Sequence, residues 1–314
     1  MRRSSPTLVI LQRVGFFVLT LWTILTISFL CVYTLPGDPA RLILGQRAST
    51  QTVQAFRLAA RLDSPLAIQY GNFLVRTMRG NFGESLAQRR PVAALVRERA
   101  GTTVLLVALS FALMAFLSVG LPILFAVVGS PWWTRALDRV LTLFAVAPSY
   151  VLGVVAVGLF SGILGWVPAV FDATRPGCWV LPVFVLSIYP AALLARVFHR
   201  ALERNSHSLS VKRARALGFP NSDVFWNEVL RVSLSAPLAT LVQGIAFFVT
   251  GTFFVESVFG IAGLGGLAYE AVRNKDVALL VPLCLVFGTA VSILSVGLDM
   301  GLRLADPRSR SQHA

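Results

Sequence analysis

A short basic stretch is the part of the sequence best suited to contact another macromolecule. It begins at Ser208, and its last seven residues are three cations, two alanines, a leucine and a glycine: Lys212, Arg213, Ala214, Arg215, Ala216, Leu217 and Gly218. The cations supply positive charge, and the small residues let a partner approach the backbone closely. The pattern alone leaves two interpretations open: a docking surface for a protein, or a solvated loop beside lipid headgroups.

The same stretch carries local signals of a short helix that ends at a glycine. We expect the helix between Ser208 and Leu217, with Gly218 in the left-handed conformation that closes many helices. Pro220 follows, and its ring prevents the helix from continuing. The sequence therefore predicts a small, defined basic element.

Four polar residues within or near apolar segments are candidates for a transport pathway, because polar groups at membrane depth are often functional. Ser149 and Tyr150 follow Pro148 and could line a passage where the proline loosens a helix, or belong to a packed kink. Gln243 either hydrogen-bonds another helix or faces the passage. For Glu256, near the end of its segment, we slightly favour a structural role.

The sequence lacks the residues that hydrolyse a nucleotide. It contains no G-x-x-x-x-G-K-[ST] loop, and its only lysines, Lys212 and Lys275, follow no glycine-rich phosphate loop. The glycine-rich run 260–266 has no preceding strand, so we expect a tight turn there. The histidines lie far apart in sequence and predict no metal site: His199, His207 and His313. We therefore predict that the chain is not an enzyme and binds no cofactor itself.

Composition predicts an all-α integral membrane protein. Hydrophobic residues make up 56% of the chain, charged residues 13%, and the mean hydropathy is +0.74. A bilayer core about 30 Å thick requires roughly 20 apolar residues per helix. We predict six transmembrane helices, one in each of the uncharged segments 14–33, 102–128, 140–171, 177–195, 234–255 and 277–298.

Charge in the short loops predicts the orientation of these helices. Arginine and lysine concentrate at both termini and in the loop 196–233, so both termini and that loop are expected in the cytoplasm. The net charge of +14 is thus divided between two sides of a membrane, which argues against nucleic-acid binding. The predicted regions are the N-terminus with helix 1 (1–33), a folded external segment (34–101), a transmembrane core (102–305) and a cytoplasmic tail (306–314).

Several motifs together resemble the permeases of ATP-binding-cassette (ABC) importers in the dipeptide, oligopeptide and nickel family. The basic stretch resembles the family's EAA loop, and the chain is most similar to the first of the two permeases in such systems. Further motifs occur in the family's order: Pro36-Gly37-Asp38-Pro39, Leu62-Asp63-Ser64-Pro65, Gly80-Asn81-Phe82-Gly83-Glu84-Ser85, Trp166-Val167-Pro168, Glu256-Ser257-Val258-Phe259 and Asp306-Pro307-Arg308. The sequence departs from the family where Leu217 and Val232 replace the more usual lysine and asparagine.

The resemblance implies a type I importer in the cytoplasmic (inner) membrane. This chain would form half of the pathway as a heterodimer with a second permease, and residues 208–218 would be a coupling helix seated on an ATPase. Two cytoplasmic subunits would use ATP and Mg, and an external binding protein would deliver short peptides. Import of nickel chelates or other small solutes by the same scaffold stays open, as does docking of the binding protein on the external segment. A self-sufficient secondary transporter is disfavoured, because the sequence shows neither inverted repeats nor midplane charges.

Overall fold

The computed structural model describes residues 6–305 except 34–39, 42–47, 61–63, 86, 129–130, 148, 167, 169–170, 173 and 176. These described residues are mainly helical, as the sequence predicts, and one isolated bridge pairs Glu84 with Pro91. The helices are α1 (Pro6–Tyr33), α2 (Thr50–Ala60), α3 (Leu66–Met78), α4 (Val92–Val128), α5 (Pro131–Val146), α6 (Ser149–Ala156), α7 (Val180–Ser206), α8 (Leu209–Ala216), α9 (Asn221–Asp223), α10 (Arg231–Ser233), α11 (Ser235–Phe259), α12 (Leu264–Arg273) and α13 (Val277–Ala305). Two π-helical segments follow α6 and α9, at Val157–Ile163 and Val224–Leu230.

Among the described residues, three to five elements are long and apolar enough to cross a membrane. Single helices meet this condition at Val92–Val128, Val180–Ser206 and Val277–Leu298. Two helix pairs meet it only when each pair counts as one span: Arg135–Val146 with Tyr150–Ile163, and Phe247–Phe259 with Leu264–Arg273. The described apolar part of α1, Val14–Ile27, is shorter. A multi-pass membrane protein is therefore supported, and the number six stays a prediction.

The predicted spans differ in form from the helices that contain them. The third span is bent, in keeping with a loosened or kinked helix at Pro148, and α5 and the π-extended α6 are bent by 106° to each other. Proline disfavours helix at the residue before it. Two helices are longer than the uncharged segments inside them, because α4 begins at Val92 rather than Thr102 and α7 continues to Ser206.

The chain divides into two compact units, the first formed by Met1–Thr102 with Ala262–Val296. A buried carboxylate, Asp276, organises part of it. Its Oδ2 atom accepts hydrogen bonds from Ser85 Oγ at 2.6 Å and from the Ala87 backbone N–H at 3.1 Å. Its Oδ1 atom accepts from the Leu279 N–H at 3.0 Å, which caps the start of α13. One side chain thus ties the turn before α4 to a helix end.

The second unit, Thr103–Ile261 with Gly297–Ala314, is organised around α7. This helix packs against α5, α6 and α11, and most of its length is buried. Gly251 of α11 faces it: a Cβ atom at that position would lie 2.6 Å from Leu186 Cδ1. The glycine therefore permits a close approach of α7 and α11, two helices that line a cavity in this unit.

Candidate functional site

The basic stretch forms α8, a helix of eight residues with defined caps. Isolated helices shorter than about 12–15 residues are marginal in water, so α8 depends on its ends and its contacts. At its start, Ser208 Oγ accepts a hydrogen bond from the Val211 N–H at 3.5 Å. At its end, Gly218 has φ +80°, the left-handed conformation that the sequence predicts.

The C-terminal cap of α8 is a Schellman motif. The Phe219 N–H donates to the Ala214 carbonyl at 3.2 Å, and the Gly218 N–H donates to the Arg215 carbonyl at 3.0 Å. This pair of bonds satisfies carbonyls that the helix end would otherwise leave unpaired, and it requires a left-handed residue at position 218. The predicted glycine cap is confirmed.

One face of α8 is anchored and the rest is exposed. Val211 is fully buried and packs in a cluster with Phe198, Leu202, Val224 and Val229. Lys212, Arg213 and Arg215 are exposed, and within the described residues none of the three has an ion-pair partner. Leu209, Leu217 and Phe219 are exposed as well. The surface therefore combines unpaired positive charge with apolar side chains.

A short chain of hydrogen bonds connects the segments on the two sides of α8. Asn205 Nδ2, near the end of α7, donates to Ser233 Oγ at 2.9 Å, and Ser233 Oγ donates to the Val229 carbonyl at 2.7 Å. Ser233 is fully buried. A displacement of α8 would therefore be carried to α7 and to the segment that enters α11, because the same cluster and hydrogen bonds connect them.

A cavity of about 450 Å³ lies among α5, α6, α7 and α11. We call it the aromatic cavity, and six of the residues that line it are Tyr150, Leu186, Tyr189, Phe247, Gly251 and Phe254. The ring centroids of Tyr150 and Phe254 are 6.0 Å apart, and those of Tyr189 and Phe247 are 4.8 Å apart. Such distances are typical of paired aromatic side chains.

A few uncharged polar groups interrupt the apolar wall of this cavity. Neither tyrosine hydroxyl has a hydrogen-bond partner in the part of the chain that the structure describes. Pro190 also lines the cavity and, without an N–H group, leaves the Leu186 carbonyl without its helical donor. The residues that the structure records along this wall include no Asp, Glu, Lys, Arg or His.

The structure describes the side chains of two of the four pathway candidates. Tyr150 lines the aromatic cavity, whereas the side chains of Ser149 and Gln243 lie outside the described residues. Glu256 is fully buried, and its Oε1 atom accepts a hydrogen bond from Thr103 Oγ1 at 2.7 Å. This contact is suited to joining α4 and α11. Roles of these residues in a pathway stay predictions.

Sequence reasoning missed Tyr189, Phe247 and Phe254. A signal for the first was present, because Tyr189 precedes Pro190 inside an apolar helix, a pattern similar to Tyr150 close to Pro148. The two phenylalanines carry no comparable signal, since 22 phenylalanines are distributed along the chain and most apolar segments contain one.

Comparison with known proteins gives matches along nearly the whole chain. Residues 118–311 match the family described as "Binding-protein-dependent transport system inner membrane component", and residues 7–107 match its N-terminal counterpart. A Brucella abortus (strain 2308) protein, provisionally named a peptide transport system permease protein, is 28% identical over 311 residues, covering 97% of this chain and 99% of the relative. The glutathione transport system permease protein GsiC of Escherichia coli (strain K12) is 29% identical over 305 residues, covering 96% and 98%.

Proposed function

The chain belongs to the family of binding-protein-dependent transport system inner membrane components, and on this basis we propose that it serves an ATP-driven importer of short peptides as one of two permeases. Similarity to relatives named for peptide and glutathione transport supports this substrate class. The family association with ATP-binding and substrate-binding components supplies the partners. The second permease forms a heterodimer with this chain, two cytoplasmic subunits bind ATP, and an external protein delivers the peptide.

The observation that carries the coupling role is the construction of α8. Its buried anchor, Val211, and its glycine cap hold the helix in a fixed conformation, while its apolar side chains are exposed and its cations have no ion-pair partner among the described residues. Such a surface fits a cleft with carboxylates and apolar pockets. We assign that cleft to an ATP-binding subunit in the cytoplasm, and the distribution of arginine and lysine supports the same side for both termini.

Transport then follows from two alternating conformations. Hydrolysis of ATP, with Mg²⁺, takes place in the partner subunits and changes their separation. Because α8 shares a hydrophobic cluster with the end of α7 and with Val224–Leu230, its movement shifts the helices that surround the aromatic cavity. The pathway between the two permeases thereby opens alternately to the outside and to the cytoplasm.

Uptake by the reconstituted importer tests this function. Proteoliposomes would contain this chain, the second permease, both ATP-binding subunits and the binding protein, with radiolabelled alanyl-alanine or glutathione outside and ATP or a non-hydrolysable analogue inside. We expect uptake only with ATP. Changing Lys212, Arg213 and Arg215 together to Gln should abolish it, whereas Arg273→Gln, an exposed arginine outside α8, should have little effect. Uptake that persists without the ATP-binding subunits would instead indicate a secondary transporter.

A further inference from the structure

We propose that the aromatic cavity holds an apolar side chain of the peptide during its passage, and that it disfavours charged side chains. This inference rests on the proposed function and adds to it a binding site and a preference among peptides. The geometry that supports it is a half-open cavity of about 450 Å³ lined by two tyrosines and two phenylalanines, with a small number of uncharged polar groups.

The tyrosine hydroxyls indicate that the cavity does not face lipid. Tyr150 is half exposed and Tyr189 is partly exposed, and neither hydroxyl has a partner among the described residues. A hydroxyl in hydrocarbon has no water to bond, and leaving it unpaired is costly. Two such groups in one cavity are better accommodated where water or a polar ligand reaches them, and a transport pathway between the two proposed permeases would supply both.

The mixture of groups fits a peptide better than a purely apolar molecule. Ligand cavities of roughly 300–1,000 Å³ typically have apolar walls and a few polar groups that fix orientation. Here the two tyrosine hydroxyls can donate to peptide carbonyls or accept from peptide N–H groups. The rings of Phe247 and Phe254 can then contact the apolar side chain of the peptide.

The described wall of the cavity has no group that could form an ion pair with a charged side chain of a peptide. No acidic or basic residue is among those that line the cavity in the described part of the chain. An aspartate or lysine side chain that entered it would lose water without gaining a counter-ion, which is unfavourable. The cavity therefore distinguishes peptides by side chain, in addition to any selection by the external binding protein.

Gly251 leaves room for the Leu186 side chain in the wall of the cavity. A Cβ atom on residue 251 would lie 2.6 Å from Leu186 Cδ1, so alanine there would displace the Leu186 side chain, which itself lines the cavity. Gly251→Ala should narrow the site without introducing charge. Phe254→Ala should widen it and remove one aromatic wall. These two variants change the site in opposite directions.

Photo-crosslinking in the complete importer tests the site directly. Proteoliposomes with all subunits would receive alanyl-(p-benzoylphenylalanine), be illuminated during ATP-driven turnover, and be digested for mass spectrometry. We expect labelled peptides that contain Tyr150, Tyr189 or Phe254. Excess alanyl-phenylalanine should suppress the label, and alanyl-aspartate should suppress it much less. Label that no dipeptide displaces, or that falls only on lipid or on the second permease, would overturn the proposal.

Uptake by variants gives an independent readout. Phe254→Ala should lower the uptake of alanyl-phenylalanine relative to alanyl-aspartate about tenfold, the lower end of the range for lost apolar pocket contacts. Tyr189→Phe keeps the ring and should reduce uptake of both dipeptides alike. If Phe254→Ala prevents assembly of the complex, Gly251→Ala should selectively impair alanyl-phenylalanine relative to alanyl-alanine. If an assembled variant keeps the wild-type ratio of uptake between the two dipeptides, the proposed binding site is wrong but the proposed function stands. If the wild type shows no ATP-driven uptake of any dipeptide, both the site and the proposed function are wrong.

Discussion

Replacing Gly218 with valine should uncouple ATP hydrolysis from transport while leaving membrane insertion intact. The residue has φ +80° and sits at the left-handed position of the Schellman cap of α8. Among the described residues other than its two neighbours in the chain, no atom lies within 4 Å of a Cβ placed on it, so steric crowding there is not the cause. The effect arises from the backbone conformation, which β-branched residues rarely adopt.

The size of the effect follows from that conformation. A left-handed backbone costs an L-residue about 1–2 kcal/mol, and a valine at least that much. A change of this size shifts an equilibrium about 5–30-fold. Because α8 has only eight residues, the shift should open its last turn and break the hydrogen bond from Phe219 to Ala214, which is 3.2 Å long. The surface that we propose to contact the ATP-binding subunit would then lose its fixed conformation.

The assay compares transported peptide with hydrolysed ATP in proteoliposomes that contain the complete importer. Gly218→Val should lower the ratio of peptide to ATP at least fivefold, in keeping with the shift just given. Gly218→Asn is the matched control, because asparagine tolerates the left-handed conformation. Equal loss in both variants would indicate close approach of the partner rather than conformation. Normal transport by the valine variant would show that coupling does not require the left-handed cap of α8.

Three further substitutions test the contacts around the site. Val211→Ala removes part of a fully buried side chain, should destabilise the α8 cluster by about 1–3 kcal/mol, and should speed hydrogen exchange in residues 209–218; unchanged exchange would contradict the anchoring role. Thr103→Val deletes the donor to buried Glu256 and should lower the free energy of unfolding in detergent by about 1–3 kcal/mol, and an unaltered unfolding midpoint would show that the bond is unimportant. Ser85→Ala removes one donor to Asp276 and should raise hydrogen exchange in residues 83–91 without affecting residues 209–218; faster exchange in both regions would mean that the effect is global.

Local chemistry made the end of α8 predictable from the sequence. A glycine after a basic, alanine-rich stretch and before Pro220 specifies a helix stop through the preferences of neighbouring residues alone. The apolar segments were predictable for a similar reason, because the bilayer fixes their length and composition. The ends of the helices were less predictable, because α4 and α7 continue into charged residues that lie outside the uncharged segments.

Contacts between distant residues were not predictable. Thr103 and Glu256 are 153 positions apart and Ser85 and Asp276 are 191 apart, and nothing in either member of a pair specifies the other. The aromatic cavity likewise depends on how α5, α6, α7 and α11 pack. A single sequence identifies Tyr150 as a polar residue in an apolar segment, but the packing of helices decides which phenylalanines stand beside it.

The proposed contact between α8 and an ATP-binding subunit can be measured in the native complex. The tagged chain with a Leu217→Cys substitution would be purified from its native membrane in mild detergent and crosslinked at that cysteine, and the products would be identified by mass spectrometry. We expect recovery of a second permease and P-loop ATPases, with the crosslink from position 217 on an ATPase. Recovery of the chain alone in a form that still transports, or crosslinks that reach only lipid, would contradict it.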